Sequence, residues 1–129
     1  MITIDTSILI RHIMQDDAVQ SPLASELLEN RLTATDPGLV TAVALHEMAW
    51  VLRNIYRRSA DDIALVVREL LNAPNLVVEH ADSVVSALTY PAGLADALIH
   101  HIGSALGAAK TLTFDKKFAR LDGVALLDA

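Results

Sequence analysis

The chain has 129 residues, of which 53% are hydrophobic, and its 16 acidic and 10 basic side chains give a formal net charge of −6. This length favours a single domain, predicted over residues 1–129, with a core that needs no disulfide. The absence of cysteine excludes disulfides and thiolate metal sites and favours a reducing, cytoplasmic setting. The acidic balance argues against nucleic-acid binding through a broad basic surface.

The hydrophobic content does not predict a membrane span. The longest uncharged stretches between Asp82 and Lys110 are Ser83–Ala95 and Ala97–Ala109, with 13 residues each. A helix needs about 18 apolar residues to cross a bilayer. The first residues also lack the basic stretch and cleavage site of a signal peptide. We therefore expect a densely packed core, to which an apolar subunit interface is a possible addition.

Turn and capping signals divide the first half of the chain into short strands and longer helices. In chain order, we predict a strand at Met1–Asp5, a helix beginning near Ser7, a helix from Ser21 to Asn30, a strand at Leu39–Val40 and a helix from Thr41 to Arg57. Ser21, which Pro22 follows, and Thr41 are the predicted N-caps of their helices.

The second half continues the alternation. In chain order, we predict a helix from Ser59 to Asn72, a strand at Leu76–Glu79, helices at Ala81–Thr89 and Leu94–Leu106, a strand at Lys110–Phe114, a short helix opened by Asp115 and an edge strand at Val124–Leu127. Almost wholly apolar strands that alternate with helices indicate an α/β fold with a parallel sheet covered on both faces.

Acidic side chains collect where such a sheet places its ligand sites. Ligands bind at the carboxyl ends of parallel strands, and Asp5 and Asp115 each stand at or just past the end of a predicted strand. Asp96 falls in the first turn of the helix that begins near Leu94, so it can face the same edge. Glu47 lies among apolar residues of its helix, and we expect its face to be at least partly covered. Singly, each acid also has a structural explanation as a cap, a helix-dipole partner or an ion-pair partner.

Together, four carboxylates near one sheet edge would repel one another without a cation. Mg²⁺ and Mn²⁺ prefer oxygen ligands, and few carboxylates suffice to hold them. The pattern therefore predicts a cation site with Asp5, Glu47, Asp96 and Asp115 as ligands. Ser7 and Thr113, each two residues from an acid, are candidates for orienting the carboxylates or a water. A cap for Ser7 and ordinary strand propensity for Thr113 are equally good explanations.

The contexts of these acids resemble those of the PIN-domain nucleases over essentially the whole chain. The matching segments are Asp5-Thr6-Ser7, Glu47-Met48-Ala49-Trp50, Leu94-Ala95-Asp96-Ala97-Leu98-Ile99 and Thr111-Leu112-Thr113-Phe114-Asp115. In length and spacing the chain resembles the VapC toxins of toxin–antitoxin pairs. The resemblance implies a three-layer α/β/α fold with strand order 3-2-1-4-5. It also implies Mg²⁺- or Mn²⁺-dependent hydrolysis of RNA phosphodiester bonds, a homodimer and a VapB-type antitoxin in the active-site groove.

By position, the resemblance makes Asp5, Glu47 and Asp96 the core acids and Asp115 a more variable fourth. No acid is missing, so we expect an active enzyme. Arg11, Lys116 and Lys117 are candidates for a local basic rim that binds substrate and offsets the acidic charge. His100 lies four residues after Asp96 on the same helix face and is a further candidate for substrate binding. No helical histidine pair has zinc-binding spacing, and Trp50 and Tyr56 are more typical of a core or an interface than of RNA stacking.

Other classes remain open at this point. A phosphoacceptor signalling domain would need paired acids after the first strand, where only Asp5 stands, and a phosphatase with an aspartyl nucleophile would need a second aspartate at Ser7. A non-enzymatic binding module would have no reason to cover Glu47 without a cation. Among nucleases, a housekeeping RNA-processing enzyme is the alternative to a toxin.

Overall fold

The computed structural model describes residues 1–128, which divide into two compact units. The N-terminal unit is Met1–Glu79, and the C-terminal unit begins at His80. The predicted single domain stays a prediction, and its last residue, Ala129, lies outside the described residues.

The N-terminal unit contains a parallel sheet with strand order β1-β2-β3. Its elements are β1 (Ile2–Thr3), α1 (Thr6–Met14), α2 (Gln20–Glu26), a π-helical turn (Leu27–Arg31), β2 (Gly38–Val40), α3 (Ala42–Asn54), α4 (Ala60–Asn72) and β3 (Leu76–Val78). Gly38 lies opposite both Ile2 and Leu76 in the ladder. The central strand is thus β2, and Asp5 follows β1 at the carboxyl edge.

Apolar side chains from the strands and from α3 form the core of this unit. Ile4, Leu9 and Val40 are almost fully buried. In α3 the buried residues recur at helical spacing, and they are Ala44, Leu45, Met48, Ala49 and Leu52. This stripe fixes which face of α3 turns inward, and it leaves Glu47 outside.

The C-terminal unit pairs two helices with a short parallel ladder. Its elements are α5 (Ala81–Leu88), α6 (Leu94–Ala105), β4 (Thr111–Thr113), a 3₁₀ turn (Phe118–Arg120) and β5 (Val124–Leu126). β4 and β5 run parallel, with Thr111 opposite Val124. Asp96 lies in the first turn of α6, and Asp115 follows β4, as predicted.

The predicted fold class is confirmed, because helices alternate with parallel strands, which is compatible with a three-layer α/β/α fold. Of the predicted strand order, the segments 3-2-1 and 4-5 are observed. The predicted adjacency of strands 1 and 4 stays a prediction. Within residues 1–128, no helix is both long and apolar enough to cross a membrane.

Two helix ends differ from the sequence-based expectation. Ser21 is not the N-cap of α2 but a buried residue inside it; the N-cap position is Val19, and the Asp17 carboxylate in the preceding turn accepts N–H bonds from Val19 and Gln20. The Asp17 carboxylate binds these N–H groups better than the Ser21 hydroxyl would, because a charged acceptor forms stronger hydrogen bonds. α3 ends before Arg57, which adopts a left-handed conformation with φ +58° and closes the helix with the Arg58 N–H on the Leu52 carbonyl.

Candidate active site

Asp5 is held firmly by the residue two positions after it. Its Oδ2 accepts hydrogen bonds from the Ser7 hydroxyl at 2.6 Å and from the Ser7 N–H at 3.2 Å, so Asp5 is the N-cap of α1. The hydroxyl, and then the backbone bond, lower the pKa of the Asp5 carboxyl below its usual value. The side chain is solvent-exposed. Asp5 is therefore a fixed, ionised carboxylate at the sheet edge, and Ser7 orients it. A role of either residue in binding a cation stays a prediction.

In the C-terminal unit, Asp96 and Asp115 line one open cavity of about 410 Å³. The turn before α6 and the 3₁₀ turn after Asp115 form its walls. The remaining lining residues are Pro91, Ala92, Gly93, Lys117, Phe118 and Leu121. Two of the four predicted acids thus face the same space, together with one cationic side chain.

Asp115 is fixed by a local network of hydrogen bonds. Its Oδ1 accepts from the N–H groups of Lys117 at 2.9 Å and Phe118 at 3.0 Å, at the start of the 3₁₀ turn. The N–H of Asp115 donates to Thr113 Oγ1 at 3.0 Å. Thr113 therefore positions the backbone of Asp115, and through it the direction of the carboxylate.

Glu47 does not have the covered environment that we expected. It is exposed, and its apolar neighbours Val43 and Trp50 are themselves 77% and 53% exposed. The cause is the register of α3, whose inward stripe passes through Leu45, Met48 and Leu52 and not through the Glu47 face. The expected cost of burying a carboxylate therefore does not apply, and Trp50 is not a core residue.

The His100 side chain contacts other residues of the C-terminal unit. Its Nδ1 lies 2.8 Å from Thr111 Oγ1, and its ring stacks on Tyr90 with centroids 5.5 Å apart. Gly123 lets the ring approach, since a Cβ there would lie 2.9 Å from His100 Cε1. These contacts give His100 a packing role, while its proposed contact with substrate stays a prediction.

Lys117 lines the cavity of Asp96 and Asp115, and the adjacent Lys116 does not. Both lysines are exposed. The Asp115 carboxylate accepts the Lys117 N–H and so turns the chain back on itself. This turn distinguishes Lys117 from Lys116, because it brings Lys117 to the cavity. Arg11, the remaining candidate for binding substrate, donates hydrogen bonds to Asp16 and Gln20 in the N-terminal unit.

The described residues contain no ready metal cage. Within residues 1–128, no group of three or more histidine, aspartate or glutamate side chains is arranged so that it could hold a metal ion. Mg²⁺, however, is usually held by one or two carboxylates and keeps several water ligands. The Asp96–Asp115 cavity offers two carboxylates in an open, water-accessible space. Its donor chemistry therefore fits a hydrated Mg²⁺ or Mn²⁺ ion.

Comparison with known families decides the class of protein. The model of the PIN domain family matches residues 2–124, nearly the whole chain. The chain belongs to the PIN domain family. Among curated proteins, no match is found. PIN domains are in general nucleases that use divalent metal ions, so membership supports a nuclease, and hence a hydrolase, as the broad function.

Proposed function

We propose that this PIN domain is a Mg²⁺- or Mn²⁺-dependent endoribonuclease that hydrolyses RNA phosphodiester bonds. The single observation that carries the proposal is the cavity shared by Asp96, Asp115 and Lys117 in a chain of this family. Two carboxylates and one ammonium group in one open space suit a cation and a phosphodiester. Asp5 and Glu47 are proposed to complete the carboxylate set, on the strength of their sequence contexts.

In the proposed reaction, Lys117 and Asp96 have different roles. Lys117 binds a phosphate oxygen as a point charge. Within residues 1–128, no hydrogen bond reaches the Asp96 carboxylate, whereas Asp115 Oδ1 already accepts two N–H groups. We therefore assign Asp96 as the carboxylate that accepts the proton of the attacking water. When bound, a divalent cation supplies charge stabilisation at the phosphate and a more acidic water.

Asp5 contributes through its fixed charge. The Ser7 bonds lower the pKa of Asp5, so the carboxylate stays ionised well into the acidic range and can ligate a cation there. The hydrogen bonds of Asp115 with Thr113 and with the following turn hold its carboxylate in one direction, in which it could ligate a cation.

We further propose that the nuclease is the VapC-type toxin of a toxin–antitoxin pair that acts in the cytoplasm. The sequence contexts of the four acids and the length of the chain support this role. The proposed partners are RNA, a VapB-type antitoxin and a second copy of the chain. A small open reading frame directly upstream that encodes a DNA-binding antitoxin would support the toxin role. If the surrounding genes encode RNA-processing factors instead, the housekeeping alternative is favoured.

The test compares two aspartates in equivalent places. Asp96 and Asp82 both lie in the first turn of a helix of the C-terminal unit, but Asp82 does not line the cavity. We expect Asp96→Asn to lower the rate of Mg²⁺-dependent RNA cleavage at least about 100-fold, since a proton acceptor and a cation ligand are both lost. Asp82→Asn removes the same charge and should leave the rate within about 2-fold, because a helix-dipole contact acts on stability.

The readout is the initial cleavage rate of a labelled RNA, with circular dichroism melting to verify that both variants are folded. Asp5→Asn is the second variant, and we expect the same loss from it. Normal cleavage by folded Asp96→Asn and Asp5→Asn proteins would contradict the proposed centre.

A further inference from the structure

Two partly exposed side chains from separate segments of the N-terminal unit, Arg11 and Tyr56, donate hydrogen bonds to Asp16. The Tyr56 hydroxyl donates to Asp16 Oδ2 at 2.7 Å, and Arg11 Nη1 donates to Asp16 Oδ1 at 3.3 Å. Arg11 Nε also donates to Gln20 Oε1 at 2.8 Å. Arg11 lies on α1, Asp16 in the turn after it, and Tyr56 just past the end of α3. The guanidinium of Arg11 is thus held from two sides.

The turn between α1 and α2 is built to deliver these contacts. Gln15 takes a left-handed conformation with φ +52°, which ends α1, and its amide donates to His12 O at 2.7 Å and to Ser25 Oγ at 2.9 Å. Asp17 Oδ1 then accepts the Gln20 N–H at 2.7 Å at the start of α2, and the Gln20 side chain bonds Arg11. Two consecutive aspartates therefore have different roles: Asp17 binds N–H groups at the start of α2, and Asp16 binds Arg11 of α1.

Charge keeps this arrangement intact at neutral pH. The Tyr56 hydrogen bond, above all, lowers the pKa of Asp16, and the same bond raises the pKa of Tyr56. Asp16 therefore stays an acceptor and Tyr56 stays a donor.

Arg11 shares a helix face with the residue that fixes Asp5. Ser7 and Arg11 are four residues apart in α1, so they lie on one face about 6 Å apart along the helix axis. Ser7 holds the Asp5 carboxylate. Because Asp16 and Gln20 follow α1 in the chain, they hold the guanidinium toward the C-terminal end of the helix whose N-terminus Asp5 caps.

The held guanidinium keeps most of its binding capacity. Asp16 and Gln20 take two of its five N–H donors. The Arg11 side chain is 34% exposed. A planar guanidinium whose orientation is fixed loses little entropy when its free donors bind phosphate.

We propose that Asp16 and Tyr56 are positioning residues that hold Arg11 in place to bind a phosphate of the RNA strand. This inference rests on the proposed function, since it names a contact that RNA makes on α1, the helix that Asp5 caps. The competing explanation is that the cluster only fastens the turn to α1 and α3. The two explanations differ in whether the effect of Tyr56 passes through Arg11.

The experiment measures binding of a short fluorescent single-stranded RNA by anisotropy, with Mg²⁺ present, to the full chain carrying Asp96→Asn so that the RNA is not cleaved. On that background we compare Arg11→Gln, Tyr56→Phe and the double variant. The matched control is Arg31→Gln, which removes the same charge from an exposed position in the same unit. Thermal melting verifies that each protein is folded.

We expect Tyr56→Phe to weaken binding about 3- to 10-fold, the effect of one lost hydrogen bond. Arg11→Gln should weaken it further and reduce the slope of log K against log salt by about 0.7, the value for one phosphate contact on a single strand. In the Arg11→Gln background, Tyr56→Phe should have an effect of less than about 2-fold, because its target is gone. Arg31→Gln should leave the affinity within about 2-fold.

Three results would overturn the inference: an equal effect of Tyr56→Phe in both backgrounds, an Arg11→Gln effect no larger than that of Arg31→Gln, or no RNA binding at all. The proposed function is decided separately by cleavage with Asp96 intact. RNA binding with the expected pattern but no cleavage would overturn the nuclease and leave the role of Arg11 standing.

Discussion

At the level of single residues, Asp5 combines a structural and a proposed chemical task in one carboxylate. It caps α1 through Ser7, and the same bonds keep it ionised for a cation. Asp115 shows a similar combination, since it accepts two N–H groups at the start of the 3₁₀ turn and lines the cavity. For Asp5 the N-cap explanation that the sequence offered is therefore correct, and it does not compete with a functional one.

Removing the Ser7 hydroxyl tests this pairing. In Ser7→Ala the pKa of Asp5 should rise toward its ordinary value, because the hydroxyl is the largest cause of its lowering. A lowered pKa in the folded chain stabilises the fold above the ordinary carboxyl pKa, and this contribution is lost as the pH falls through the folded-state pKa. The variant should therefore lose that contribution at neutral pH and need a higher pH for half-maximal cleavage on the acidic side.

Carboxyl NMR titration of Asp5 gives the pKa directly, and a pH–rate profile gives the activity limb. Ser86→Ala, at an exposed position on α5, is the control for loss of a serine hydroxyl. An unchanged Asp5 pKa in Ser7→Ala would show that the hydroxyl bond does not act on the carboxylate.

The sequence predicted the strand-end acids well and the environment of Glu47 badly. Asp5 and Asp115 were predictable because a residue at the end of a parallel strand has a defined place in the sheet. The exposure of Glu47 was not, because α3 has apolar residues on more than one face and the buried stripe depends on what packs against it. The Arg11–Asp16–Tyr56 cluster was also beyond prediction, since Asp16 and Tyr56 are 40 residues apart in sequence.

Among the elements, α3 and α4 begin where the sequence predicts, whereas the signal at Ser21 and Pro22 did not mark the start of α2. Thr41 and Ser59 cap α3 and α4 with their hydroxyls. The π-helical turn after α2 has no such signal, and the boundary at Arg57 depends on a left-handed residue that is not glycine. Local chemistry thus sets the starts of helices, whereas tertiary contacts set several of their ends.

The central strand β2 depends on a glycine. A Cβ at Gly38 would lie 2.8 Å from Leu32 Cδ1, 2.9 Å from Ile4 Cγ1 and 3.0 Å from Leu76 Cδ2. We expect Gly38→Ala to destabilise the fold by about 1–3 kcal/mol, because the buried Ile4 and Leu32 and the half-buried Leu76 must shift together.

Gly103→Ala is the matched control, since in α6 the added methyl would meet only Ala108 Cβ at 3.8 Å. It should stabilise the fold by about 0.5–1 kcal/mol through the better helix propensity of alanine. Urea unfolding midpoints at unchanged slope measure both effects. A Gly38→Ala protein as stable as the wild type would show that the packing around β2 is looser than described.

For the molecule as a whole, the net charge of −6 opposes the binding of RNA, which is also negatively charged. The N-terminal unit carries Asp5 and Glu47, and the C-terminal unit carries Asp96 and Asp115. A bound divalent cation would offset part of this charge, and Lys117 and Arg11 supply local positive charge where RNA is proposed to bind. We therefore expect RNA cleavage by this acidic chain to depend on the cation more strongly than cleavage by a nuclease with a basic surface.

The most direct test is a single time course of labelled RNA with the wild-type chain, in which Mg²⁺ is supplied, chelated with EDTA and then restored in excess. We predict that cleavage begins with Mg²⁺, stops on chelation and resumes when the cation returns, because the carboxylates hold the cation reversibly. The same sequence with Mn²⁺ should give the same pattern. Cleavage that continues in EDTA, or no cleavage with either cation, would contradict a metal-dependent ribonuclease.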